Sequence, residues 1–218
     1  MRADDHIDQQ CPFGPELARY WAVRRDVFSR WDQGVKVDRE GLYTAKPEAV
    51  AGGIAALTPG NVVIDGTCGV GALTIALAAR SKSVLAVDID SSRLNLAQHN
   101  ARLYGVENRI RFVHGDILEV LKSERADCVI FDPDWGGPGY HTVPSIKLRE
   151  LNPDGERLIT SGLRAARRVV ICLPVNFNRQ ELKELSGAVV RHVRPWTMWQ
   201  RDICFTALIE HARIASEP

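Results

Sequence analysis

Val62-Val63-Ile64-Asp65-Gly66-Thr67-Cys68-Gly69-Val70-Gly71 is the stretch from which the rest of the chain can be read. A short apolar run ends in a carboxylate, enters a glycine turn and leads into a segment of helical composition. That pattern is a strand feeding a tight turn and a helix, the usual opening of a nucleotide-type site in an α/β sheet.

Working outward, the same alternation repeats. Apolar runs predict strands over 61–65, 84–88, 110–114, 126–131 and 168–173. Helices are expected over 71–80, 91–104, 116–121, 155–165 and 179–185, with Asp90 capping the second. Such βαβ repetition argues for a parallel sheet covered by helices on both faces. Residues 188–194 and 202–210 also read as strands, joined by Pro195-Trp196-Thr197-Met198-Trp199-Gln200. No helix separates these two, so they should pair antiparallel. The expected fold is a Rossmann-like, mostly parallel seven-stranded α/β sheet ending in an antiparallel hairpin, the layout of class I methyltransferases.

Upstream, residues 1–14 read as a loose polar arm and 15–58 as a helical extension ahead of a main domain over 59–218. Pro15 suits the first turn of a helix running to about Trp31, with Trp21, Phe28 and Trp31 on one face. A second helix is expected from Pro47 to Leu57.

The 218 residues suffice for one sizeable domain, and a net charge of +1 gives no overall basic field. Five cysteines are spread along the chain with no Cys-x-x-Cys pair. That spacing indicates neither a disulfide framework nor a zinc site, and a reducing compartment is expected. His114 and His192 lack partners at metal-binding spacing, so no metal is expected. Residues 1–20 carry no signal-peptide core, and no stretch is long enough to span a bilayer. The expectation is a protein of the nucleus or cytoplasm, and no pattern suggests an oligomer interface.

Acids close the first, second and third strands: Asp65, Asp88 and, just beyond the third, Asp116. Gly69 and Gly71 would let the backbone approach a ligand. A dinucleotide turn usually carries a third glycine, but Gly71 is followed by Ala72, Leu73 and Thr74. The acidic opening suits a cationic ligand, and S-adenosylmethionine carries both an ammonium and a sulfonium. Asp88 is placed for ribose hydroxyls and Asp116 for an adenine amine, with Ile117 against the ring. Any one of these acids alone could be a helix cap; three at successive strand ends, beside the glycine turn, are harder to reach by chance.

The fourth strand ends in Asp132-Pro133-Asp134-Trp135-Gly136-Gly137-Pro138-Gly139-Tyr140. An aromatic amine is a weak nucleophile because its lone pair is delocalised. Acceptors aimed at its two hydrogens favour the tetrahedral geometry needed for attack. Asp132 and the Pro133 carbonyl can be those acceptors, and Trp135, read as an exposed indole, can stack on the base. A polar turn with Trp135 packed on a neighbour is the plainer alternative.

An acid, Asn or Ser followed by Pro-Pro-aromatic is the signature of amino methyltransferases, and the longer form here, Asp132 through Tyr140 with Trp-Gly-Gly-Pro, resembles the trimethylguanosine synthase family. Tyr20-Trp21, Phe28-Ser29-Arg30-Trp31-Asp32-Gln33-Gly34-Val35-Lys36-Val37-Asp38, Tyr43-Thr44 and Pro47-Glu48 resemble that family's helical extension. The resemblance implies S-adenosylmethionine-dependent methylation of N2 of a 7-methylguanosine RNA cap, on snRNA, snoRNA or mRNA. It implies catalytic Asp132, Pro133 and Trp135; a monomer is expected. Its cofactor residues fall on Phe28, Thr44, Asp65, Cys68, Gly69, Gly71, Asp88, Ile89, Asp116, Ile117 and Asp132. Its substrate residues fall on Arg19, Thr44, Asp132, Trp135, Gly136, Tyr140 and Asn176. Unmethylated guanine, lacking the ring charge, is expected to be a poor substrate.

Departures are expected to matter. Asp134 replaces the family's second Pro, which should loosen the loop, and Asp132 replaces a frequent Ser. Val175 stands where a basic residue is usual, leaving Arg179 or Arg201 to supply a phosphate contact. The run Arg191 to Trp196 near the hairpin tip is a further candidate for RNA contact. The alternatives weighed are a guanosine-N2 or adenosine-N6 methyltransferase acting on internal RNA or DNA bases, a catalytically inactive cap-binding module, and a dehydrogenase.

Overall fold

A computed structural model describes residues 10–212. Most of residues 1–14, expected as a loose arm, and the last residues of the main domain lie outside that range. Among the described residues the chain forms a seven-stranded sheet in the order β3-β2-β1-β4-β5-β7-β6. The strands are β1 (Val62–Asp65), β2 (Ser83–Asp88), β3 (Ile110–His114), β4 (Ala126–Phe131), β5 (Ala166–Leu173), β6 (Ala188–Met198) and β7 (Arg201–His211). Strands β1 to β5 pair in parallel, and β7 runs antiparallel to β5 and to β6.

The near-continuous apolar character of the central strands follows from burial on both sides. Successive side chains alternate between two cores. Ile64, Val129 and Phe131 face one with Leu158 and Ile159; Val63, Cys128 and Ile130 face the other with Ile54, Leu73 and Leu77. The second core is covered by α4 (Glu48–Leu57) and α5 (Ala72–Ala78), the first by α7 (Ile117–Val120) and α8 (Gly155–Ala165). Helix α6 (Ser91–Leu103) sets Leu94 and Ala97 on Ala86. Its cap is Asp90, which accepts from the Ser92 and Arg93 amides at 2.8 and 3.3 Å. The strand order reverses between β1 and β4, so the carboxyl ends of these neighbours open a crevice.

The long N-terminal helix expected from Pro15 is instead broken. After a 3-10 turn over Pro15–Leu17 come α1 (Ala18–Ala22) and α2 (Arg24–Val27), and Phe28 is extended. At the break the buried Arg24 folds back over the Trp21 ring and donates to the Trp21 carbonyl at 2.7 Å. The aromatics therefore do not share one helical face. Phe28 lies in a core with Val70, Ile75 and Ala101, while Trp21 meets Trp31 edge-on at 5.4 Å. Within the expected arm, Cys11 is buried against Leu17 and Leu42.

An unexpected helix, α3 (Arg39–Thr44), is capped by Asp38, which accepts from the Gly41 amide at 2.6 Å. Gly41 lets α3 approach the glycine turn, since a Cβ there would lie 2.4 Å from Val70. Arg93 of α6 holds α3 through Asp38, at 2.9 Å, and through both oxygens of Glu40.

The final hairpin is longer than expected. Strand β6 continues through Pro195, which an edge strand tolerates because that position need not donate. The turn shrinks to Trp199-Gln200, both with positive φ, as a two-residue hairpin requires. Arg191 to Arg194 are strand residues as expected, Pro195 and Trp196 extend the strand, and Trp196 is buried. The segment expected as a helix at 179–185 is a 3-10 turn over Arg179–Lys183.

Candidate active site

A cavity of about 760 Å³ opens at the carboxyl ends of β1, β2 and β4. One wall comes from the loops after β1, β2 and β3. Gly69, with φ +51° and open space where a Cβ would stand, presents bare backbone to it. Its amide donates to Asp88 at 2.7 Å, and the second Asp88 oxygen accepts from the Asp90 amide at 2.9 Å. Both bonds fix the Asp88 carboxylate at the cavity edge. Asp116 also lines the cavity while capping α7 through the Leu118 amide at 2.8 Å. Ile117 and the exposed Ile89 complete this wall.

Three residues expected at this wall are placed behind it. Asp65 has no solvent exposure and lies beneath the turn, where it accepts from the Thr74 hydroxyl at 2.6 Å. Its Oδ1 has no partner at full hydrogen-bond geometry among the described residues. Burial pushes its pKa up to about 7, against the lowering effect of the hydrogen bonds from Thr74 and the Thr67 amide. Cys68 turns into the core with Ala86 and Leu94. Gly71 serves packing: a Cβ there would lie 3.0 Å from the Ala97 backbone. Phe28 is likewise a core residue, and Val23 and Val27 are the neighbours that reach the cavity.

The opposite wall is the loop after β4. Asp132 and Pro133 line the cavity, and the Asp132 amide donates to Thr67 Oγ1 at 2.8 Å. The loop is not loosened by Asp134. That residue forms a two-bond bridge with Asn152 (2.9 and 3.0 Å), and its carboxylate accepts from the Gly136 and Gly137 amides, both at 3.1 Å. The Asp134 side chain thus holds the loop that a proline ring would have stiffened.

Trp135 is half-buried rather than exposed. It meets Tyr140 at 5.2 Å and 76°, and its buried Nε1 has no partner among the described residues. Tyr140, Gly137 and Pro138 line the cavity, whereas Gly136 does not. Asn176 stands outside it and donates to the Tyr140 and Val143 carbonyls at 3.0 and 2.7 Å, supporting the loop from behind.

Lys46, which precedes α4, carried no signal in the sequence. It is buried, its ammonium donates to both Asp132 oxygens at 2.8 and 2.6 Å, and it sits 4.3 Å from the Trp135 ring centroid. Burial works against its charge, but Asp132 beside it prevails and the pKa is raised.

Arg19, Thr44, Val175 and Arg201 line the remaining part of the cavity. Arg19 donates to the Tyr20 hydroxyl at 2.9 Å, and Thr44 Oγ1 donates to the Glu40 carbonyl at 2.9 Å. Of the two arginines considered for the role left by Val175, Arg201 is on the cavity and Arg179 lies over Phe205. Trp199 at the hairpin tip bonds Asp26 at 2.9 Å and joins this rim. No helix among the described residues is long and apolar enough to cross a membrane, and no group of His, Cys, Asp or Glu there could hold a metal ion.

A parallel sheet with an antiparallel end and a cavity at the β1/β4 reversal define a class I methyltransferase. A crystal structure from Porphyromonas gingivalis W83 shares the fold, with TM-score 0.71 at 17% identity over 92% of this chain and 52% of that one. A tRNA m1G37 methyltransferase from M. jannaschii gives 0.52 at 18% identity, over 75% and 48%. Residues 60–202 match the model of the RNA cap guanine-N2 methyltransferase family, and the chain belongs to that family. It is 33% identical over 199 residues to the trimethylguanosine synthase of Schizosaccharomyces pombe, covering 85% of this chain and 81% of that one. The Saccharomyces cerevisiae counterpart is 28% identical over 194 residues, covering 83% of this chain and 61% of that one. An uncharacterized RNA methyltransferase of Halalkalibacterium halodurans is 27% identical, over 91% and 43%. The chain is therefore an RNA methyltransferase.

Proposed function

We propose that the protein transfers methyl groups from S-adenosylmethionine to the exocyclic N2 amine of a 7-methylguanosine RNA cap. The observation carrying this reading is that Asp132, Pro133 and Trp135 face, across one cavity, the acidic wall of Asp88 and Asp116.

The residues present fit the cofactor. Asp88 is fixed at a strand end where ribose hydroxyls can donate to it, and Asp116 and Ile117 suit an adenine ring. Asp65 does not line the cavity and supports this wall from beneath the turn, through the Thr74 hydroxyl. When bound, the cofactor supplies a methyl group on a sulfonium leaving group.

The chain's own part is alignment and charge placement. Asp132 and the Pro133 carbonyl accept the hydrogens of the amine and leave its lone pair aimed at the methyl group. Trp135 and Tyr140 hold the base. Arg19 and Arg201 at the rim suit the phosphate chain. Capped snRNA, snoRNA or mRNA in the nucleus or cytoplasm is the substrate class, a single chain carries the whole site, and one or two methyl groups are added.

The test is transfer of radiolabelled methyl to a capped RNA, followed by digestion to nucleosides. Label in 2,7-dimethylguanosine or 2,2,7-trimethylguanosine supports the reading. Label confined to internal nucleosides overturns it.

A further inference from the structure

Lys46 makes both contacts that the proposed function gives to a cationic base. Its ammonium donates to Asp132 at 2.8 and 2.6 Å, and it lies 4.3 Å from the Trp135 centroid. A 7-methylated ring owes its advantage over plain guanine in such a site to its charge, which an electron-rich indole and a carboxylate both favour. Here the carboxylate already has a counter-ion and the indole already has a cation. The other nearby carboxylate, Asp134, is committed to the Gly136 and Gly137 amides. Arg19 and Arg201 at the rim add positive charge. A second cation brought in by the substrate gains little from this surrounding and meets Lys46 at close range.

We propose that Lys46 supplies from within the protein the charge a 7-methyl group would bring, so that the site also methylates N2 of guanine lacking that group. This rests on the proposed guanine-N2 chemistry and widens its substrate class to guanine nucleotides with an unmodified ring. The step is balanced in the same way for either ring. The N2 lone pair forms the N–C bond and the methyl carbon–sulfur bond breaks. Sulfur keeps the electron pair and becomes the thioether of S-adenosylhomocysteine, and the surplus N2 proton passes to water.

The test is kcat/KM for 7-methylguanosine diphosphate and for GDP, measured with wild type, Lys46→Met and Lys46→Thr. Each ratio comes from one preparation, so a loss of folded protein cancels. The wild type is expected to methylate both nucleotides. In Lys46→Met the ratio of methylated to plain nucleotide should rise by about tenfold or more, because Asp132 is then left to a cationic substrate. Lys46→Thr should shift it in the same direction. Wild-type transfer to 7-methylguanosine diphosphate with none to GDP overturns the inference and leaves the cap reading standing. Transfer to GDP alone supports the inference and overturns the cap reading. Transfer to neither overturns both, and an unchanged ratio in the lysine variants overturns the role given to Lys46.

Discussion

The Asp132 amide donates to Thr67 Oγ1 at 2.8 Å, so the loop after β4 is tied to the loop after β1 across the floor of the cavity. Under the proposed reaction this bond would set the spacing of the two reacting groups. Thr67→Val should lower kcat by about tenfold, the scale expected when reacting groups lose alignment. Binding of S-adenosylhomocysteine should change by less than about threefold on the same grounds. Steady-state kinetics beside titration calorimetry checks this, and an unchanged kcat would remove the coupling.

Asp88 is held by two backbone donors in an orientation that leaves it open to the cavity. Asp88→Ala should weaken S-adenosylmethionine binding by roughly 30-fold or more, since two charge-assisted hydrogen bonds are lost. Calorimetry with the purified variant reads this directly, and near-normal affinity would place the ribose elsewhere.

Trp135→Ala should reduce affinity for 7-methylguanosine diphosphate by about 10- to 100-fold, the usual effect of losing a stacking partner. Cofactor affinity should hardly move. Fluorescence or calorimetric titration of both ligands separates the two effects. Equal loss for both would mean that the indole mainly supports the loop.

The Asp65 pKa, raised by burial to about 7, fixes a sign for stability against pH. Its ordinary value in the unfolded chain is near 3.8, so between these values the folded state binds more protons. Asp65 therefore contributes less stability as pH rises from about 4 to about 7, and its contribution is level above that. Asp65→Asn cannot ionise. Relative to wild type, its melting temperature should improve across this window; parallel curves would show that Asp65 is already ionised in the fold at low pH.

Gly71→Ala should destabilise the protein by about 1–3 kcal/mol, because φ is +92° and the new Cβ would press on the Ala97 backbone. Denaturant unfolding measures this. A stability equal to wild type would show that α6 shifts freely.

The sheet was legible because burial on both faces leaves apolar runs such as Cys128-Val129-Ile130-Phe131, each ended by a polar turn. Asp88 and Asp116 were legible as cavity residues for the same reason: they stand where strands end. The extension was less so, because its geometry is set by contacts distant in sequence. Arg24 folds back on Trp21 where the spacing of Trp21, Phe28 and Trp31 suggests a continuous helix, and Arg93 holds α3 through Asp38 and Glu40. Which side of the turn Cys68 and Gly71 face depends on how closely α6 approaches, which no local pattern records. Lys46 was invisible because its partner lies 86 residues away and a lone lysine before a proline reads as a solvated side chain.

The most direct test of the central claim is mass spectrometry of 7-methylguanosine diphosphate after incubation with S-adenosylmethionine and the pure protein. The account predicts a gain of one or two methyl masses on the nucleotide, fragmenting to place them on the N2 side of the ring, and no gain with Asp132→Ala. A nucleotide recovered unchanged with wild type, or a methyl group placed on the ribose, would contradict it.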